Sequence, residues 1–208
     1  MNSFESDMKR ALCSKSFLAG LALGLVILLK SGFDSELYRI GFPVLASLPY
    51  TTAWLSELKG GFLKFALVRA GTTPYICGKI FTCALSGGLV ELLPALIYRL
   101  LCPDEAVTIN LWLVFFAAVF WAVVAGALSA FSKSPYIAYG GSFVIYYILV
   151  ILHERYFSGL YCLYPYEWIA PKHTWLFDWQ GIVLLLAGLI FLMLMLYYEI
   201  LRRCIARG

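Results

Sequence analysis

Apolar windows separated by short charged segments run through the whole chain, and three of them settle its class. Ala106 to Ser132 has no charged side chain and carries Trp112, Phe115, Phe116, Phe120 and Trp121. Ser134 to Leu152 follows after Lys133 alone, and Trp179 to Tyr198 is the third. A membrane-crossing helix needs about 20 largely apolar residues, so each window predicts one crossing. A fourth, Ile80 to Tyr98, lies between Lys79 and Arg99 and is broken only by Glu91. The first window, Ser16 to Leu29, is short and depends on Lys15 and Lys30 reaching the two interfaces. The second, Ile40 to Ser56, holds Pro43 and Pro49, which remove backbone donors and predict a kinked or partly re-entrant passage.

The pattern therefore predicts an all-α, polytopic integral membrane protein with six transmembrane helices. Residues 1–16 form an N-terminal amphipathic helix on the cytoplasmic surface, since Phe4, Met8, Leu12 and Cys13 alternate with charge. Residues 17–201 form the six-helix domain, with an inner loop at 57–74 and an outer aromatic segment at 153–179, which lies in or dips into the interface. Residues 202–208 are a cytoplasmic tail. No small-x-small cleavage site follows the first window, so it is expected to remain as an uncleaved span.

Charge placement sets the orientation. With both termini cytoplasmic, eleven of the 16 Lys and Arg residues face inward and five face out, the sense expected of a multi-pass cell-membrane protein. Composition agrees: 62% of the 208 residues are hydrophobic and only 13% are charged, against about a quarter in soluble domains. The net charge of +4 gives no reason to expect a nucleic-acid partner. Six scattered cysteines form no C-x-x-C pair and no metal-ligand spacing, although Cys102 and Cys162 both fall on the outer side, where they would pair in an oxidising compartment.

Catalytic patterns are scarce, and no catalytic, cofactor-binding or metal-ligating residue is assigned. His153-Glu154 lacks the second histidine of an H-E-x-x-H zinc helix, and His173 stands alone. There is no G-x-S-x-G elbow and no G-x-x-x-x-G-K-[ST] phosphate loop, so this motif for binding ATP is missing from the chain. Glu91 is the one acidic residue inside a predicted span, which makes it a candidate functional residue. The alternative is a carboxyl that is neutral or paired at a helix contact. Gly20 and Gly24, and Ala118, Ala122, Gly126 and Ala130, form small-residue stripes that read as helix-packing surfaces.

The inner loop from Glu57 to Lys79 carries more information. After Gly60-Gly61 it predicts a short helix ending near Gly71, with Phe62, Phe65, Ala66 and Arg69 on one face and Lys64 elsewhere. Such a helix suits docking into a groove of a soluble partner, or equally resting on lipid. The order Glu57, Gly61, Leu63, Leu67, Arg69, Gly78, Lys79 resembles the permease subunits of type-2 ABC exporters. Their layout is similar over nearly the whole chain: an inner-surface helix, six spans, and an aromatic outer segment before the last. Phe62, Lys64 and Gly60 depart from the pattern, where the first two positions are commonly small polar and acidic.

That resemblance implies a coupling helix on which Glu57, Gly61, Phe62, Lys64, Phe65 and Arg69 engage a separate ABC-type ATPase subunit. ATP and magnesium would be held by that partner and no cofactor by this chain. A second copy or a paralogue would complete the transporter, which would export an amphipathic substrate (peptide, lipid or drug-like) by alternating access. The chain itself would be no enzyme. Two other classes stay open. One is an intramembrane enzyme acting on lipid or peptide through Glu91 or His153-Glu154-Arg155; the other is a non-transporting immunity or scaffold protein.

Overall fold

The computed structural model describes residues 3–103, 109–175 and 177–206. Asp104, Glu105, the start of the Ala106 window, Arg207 and the Lys64 side chain lie outside the described residues. All regular structure among those described is helical: α1 (Ser3–Leu12), α2 (Lys15–Ser31), α3 (Glu36–Ser47), α4 (Ala53–Lys59), α5 (Leu63–Ala70), α6 (Thr72–Leu101), α7 (Leu111–Ser132), α8 (Pro135–Arg155) and α9 (Asp178–Ala206), with a 3₁₀ turn at Tyr161–Leu163.

Helices α6, α7, α8 and α9 are long and apolar enough to cross a membrane, and α1 with α2, bent by 47° at Cys13-Ser14, makes a fifth candidate. The second apolar window does not form one helix. Its α3 portion stops at Ser47 after 12 residues, turns occupy 48–52, and α4 begins at Ala53. The cause is local. Pro43 lacks the N–H that would bond one turn back, and Pro49 forbids continuation of the helix. Thr51 takes up a loose carbonyl, its hydroxyl donating to the Ser47 carbonyl at 2.6 Å.

Polar residues at the window edges start and stop the helices. Ser14, Ser35 and Asn110 each accept a backbone N–H with the side chain as an N-cap. Lys133 closes α7 in the left-handed conformation at φ 54°, and Pro135 opens α8, so the two helices reverse with only two residues between them.

The core is centred on α7, which is apolar all round and largely buried. Its small-residue stripe faces neighbours in the same chain. A Cβ on Gly87 of α6 would collide with Ala122, and one on Gly126 would lie 2.9 Å from the Tyr197 ring of α9. In α2, Gly20 and Gly24 make room for Val90 and Pro94 of α6, so the Pro94 ring fits into the space a side chain at Gly24 would fill. Helices α8 and α9 turn most of their apolar surface outward.

Candidate functional site

At one end of the bundle, α1, the 48–52 turn, α4 and α6 converge on a buried ammonium group. Lys79 is 2% exposed, and its Nζ donates to Asp7 Oδ1 at 2.8 Å, Glu57 Oε1 at 2.5 Å and the Tyr50 hydroxyl at 2.9 Å. An ammonium has three donors, and all three are used. Glu57 is equally well served: Arg10 Nη1 donates to Oε1 at 2.9 Å and the Tyr75 hydroxyl to Oε2 at 2.6 Å. The ring centroids of Tyr50 and Tyr75 lie 5.3 and 5.4 Å from the ammonium. Two carboxylates balance two cations, so the cluster carries no net charge. A buried charge is tolerated only when paired and hydrogen-bonded in this way.

This cluster anchors the loop that carries α5. Gly61 sits at φ +72° and Gly71 at φ +78°, in backbone that side-chain-bearing residues rarely adopt, so α5 is bounded at both ends by turns that favour glycine. Leu63 is buried and Ala66, Leu67 and Ala70 are partly buried against the core. Phe62 (67% exposed), Phe65 (77%) and Val68 (90%) point away from the bundle, with Arg69 exposed beside them. The expected shared face is thus formed by Phe62, Phe65 and Arg69, whereas Ala66 turns inward. Of the residues tied to this loop by sequence order, Glu57 and Lys79 meet directly across 22 positions.

Midway along α6, Glu91 is fully buried and accepts the Tyr38 hydroxyl of α3 at Oε2, 3.0 Å away. Among the described residues its Oε1 has no hydrogen-bond partner. The other acid/base candidates do not join it. His153 is buried near the end of α8 and stacks on Tyr164 at 4.4 Å, while Glu154 and Arg155 point outward. Among the described residues no three His, Cys, Asp or Glu side chains are grouped to hold a metal ion, and all six cysteines are free thiols.

No family model, curated protein or solved structure gives a significant match to this chain.

The opposite end of the bundle is closed by the aromatic segment after α8. Trp168 is buried against Phe120 and Trp121, with ring separations of 5.4 and 6.1 Å. Trp121 lies ten residues into α7, about 15 Å at 1.5 Å per residue, so the segment folds well back into the bundle. Glu167, buried beside it, binds its own chain: it accepts the Lys172 and His173 backbone N–H groups at 3.0 and 3.3 Å and meets His173 Nδ1 at 2.9 Å. Burial alone would raise the Glu167 carboxyl, but these bonds, with the Trp175 indole, hold it below the usual carboxylate range.

Asp7, Tyr50 and Tyr75 in the ionic cluster and Tyr38 beside Glu91 escape the sequence reading. Asp7 lies in a helix whose charges look solvent-facing, and tyrosines near membrane ends are common enough to carry no signal of their own.

Proposed function

We propose that this chain is the permease subunit of an ATP-driven, type-2 ABC exporter, a multi-pass cell-membrane protein with both termini cytoplasmic. Its α5 is a coupling helix that seats a separate ATPase subunit. The observation that carries the reading is the outward display of Phe62, Phe65 and Val68 on a short helix held at the end of the bundle. A helix presenting aromatic anchors at i, i+3 spacing is a recognised way to fill a groove on a partner. The order from Glu57 to Lys79, which resembles that family, supports the same reading.

On this proposal the chain passes the membrane six times. The second passage is the broken run of α3, the 48–52 turn and α4, which travels along α6 from Glu91, opposite Tyr38, to Lys79, opposite Glu57. ATP and magnesium belong to the partner, a second permease copy or paralogue completes the pathway, and an amphipathic cargo is exported by alternating access. This chain transmits force and performs no covalent chemistry.

The test is affinity purification of the tagged chain from its native membrane in mild detergent. An ATP-hydrolysing subunit in roughly equal amount is expected, and it should be lost from Phe65→Asp. Recovery of wild-type chain without any ATPase would overturn the assignment.

A further inference from the structure

Helix α9 leaves a long strip of its surface uncovered. Leu192, Met195, Leu196, Glu199, Ile200 and Arg203 line an open furrow of about 400 Å³. Their spacing of three and four sets them along one side of the helix. Leu192, Met195 and Leu196 are 62%, 54% and 49% exposed, so apolar surface lies open along this strip. From Leu192 to Arg203 the helix rises about 16 Å at 1.5 Å per residue. That is close to half of the ~30 Å hydrocarbon core of a bilayer, so the furrow has the length of one leaflet's acyl region.

Its two ends differ in chemistry. Leu192 lies inside the charge-free window that closes at Tyr198, and Arg202 and Arg203 stand just beyond that window. The Cys204 thiol donates to the Ala130 carbonyl at 3.7 Å, and the neighbouring Ser129 hydroxyl donates to the Thr51 carbonyl at 2.8 Å. The arginines therefore lie at the end of the bundle that holds the 48–52 turn and the Lys79 cluster. Glu199 meets both of them, Arg202 at 3.5 Å and Arg203 at 3.8 Å, and all three side chains are open to their surroundings. One carboxylate between two guanidiniums leaves a net positive charge. Each guanidinium carries five N–H donors, so both keep donors for an anion, in the forked geometry that suits phosphate. Lys133, exposed where it closes α7 three residues past Ala130, adds a further cation at this end.

We propose that the α9 furrow binds an anionic phospholipid, with one acyl chain along Leu192, Met195, Leu196 and Ile200 and the phosphate of its headgroup on Arg202 and Arg203. A zwitterionic phospholipid fills the furrow as well but brings its own cation beside the arginines, so the site selects headgroups of net negative charge. A second copy of the chain suits the strip less. Two copies inserted in the same sense and meeting through α9 would set these positive ends against each other at one depth. The site depends neither on α5 nor on an ATPase.

The experiment uses the full chain, stripped of lipid in a neutral detergent and titrated with dioleoyl phosphatidylglycerol or dioleoyl phosphatidylcholine, with native mass spectrometry counting the lipids retained. One phosphatidylglycerol is expected to bind about tenfold more tightly than phosphatidylcholine. Arg202→Gln with Arg203→Gln should bring the two lipids within about threefold of each other. Lys30→Gln with Arg155→Gln, which removes two exposed cations from the other end of the bundle, should leave the preference intact. Should the arginine double variant fail to fold, Arg203→Gln alone carries the test and is expected to lower the preference about threefold. Equal retention of the two lipids by the unaltered chain overturns the site, as does an equal loss of preference in the Lys30 and Arg155 variant, which would mark attraction by overall charge. Displacement of phosphatidylglycerol by sn-glycerol 1-phosphate, which has the phosphate and no tails, would assign the arginines to a free anion and overturn the lipid. Disulfide-linked dimers of Leu196→Cys formed in the native membrane, above the background of the unaltered chain, would give the strip to a second copy and overturn it likewise.

Discussion

The Tyr38 hydroxyl donates to Glu91 across 3.0 Å inside the bundle, and it is the only hydrogen-bond partner that carboxyl has among the described residues. Removing either group leaves the other stranded away from water, a loss of about 1–3 kcal/mol, whereas removing both is close to neutral. Tyr38→Phe and Glu91→Leu are therefore each expected to destabilise the protein by that amount, and the double variant by clearly less than their sum. Thermal unfolding in detergent measures the cycle. Strict additivity would show that the two side chains do not depend on one another.

Lys79→Met should be among the most damaging single changes, because it leaves the Asp7 and Glu57 carboxylates facing each other without their shared cation. Breaking a buried pair costs about 3–5 kcal/mol. Adding Glu57→Gln to that background should recover part of the loss, which the same unfolding assay would detect as a rise in midpoint.

Phe65→Asp is expected to change stability by no more than about 0.5 kcal/mol, since the side chain is 77% exposed. On the proposed function, its effect should fall on ATPase association. Loss of folding in this variant would mean that α5 packs on the bundle more firmly than the exposure of Phe65 implies.

Gly87→Ala should destabilise and Gly188→Ala should not. The added methyl at Gly87 meets Ala122 and lies 2.9 Å from the Ala46 carbonyl oxygen, and at Gly188 it meets nothing within 4 Å. Overpacking of this kind typically costs about 1–3 kcal/mol, and unfolding midpoints of the two variants compared side by side would show it.

The outer segment should respond to acid. Glu167 has its carboxyl held lower in the folded protein than in the unfolded chain. Its contribution is therefore complete above the ordinary carboxylate range, near pH 4.3, and is lost as pH falls through the lower folded value. Tryptophan emission from Trp168 and Trp175 is expected to shift on acidification below that range. Glu167→Gln should remove this step, and an identical acid transition in the variant would assign it to another group.

Much of the helical framework can be read from the chain, because long charge-free windows such as Trp179 to Tyr198 leave the backbone no way to satisfy itself in lipid except as a helix. The same rule explains the break at Ser47: two prolines within one short window make a continuous α3–α4 helix untenable. Pairings between distant side chains follow from packing, and hydropathy does not report it. Asp7 sits among Glu5, Lys9 and Arg10 and has nothing local to set it apart. Only the approach of α1 to α6 selects it for Lys79. Glu91 is conspicuous as a lone acid in a span, but which hydroxyl answers it depends on how α3 lies against α6.

Gly61 and Gly71 have a consequence for how such a protein could change its companions over evolutionary time. They enclose α5 as a cassette whose outward residues answer to almost nothing inside the bundle, while Glu57 and Lys79 outside the cassette keep the frame in register. On the proposed function, substitutions at positions 62, 65 and 68 can therefore drift with the surface of the partner, without requiring matching changes in the core of the bundle. On the same proposal, a chimera exchanging residues 62–70 alone would inherit the donor's recognition and keep the recipient's bundle.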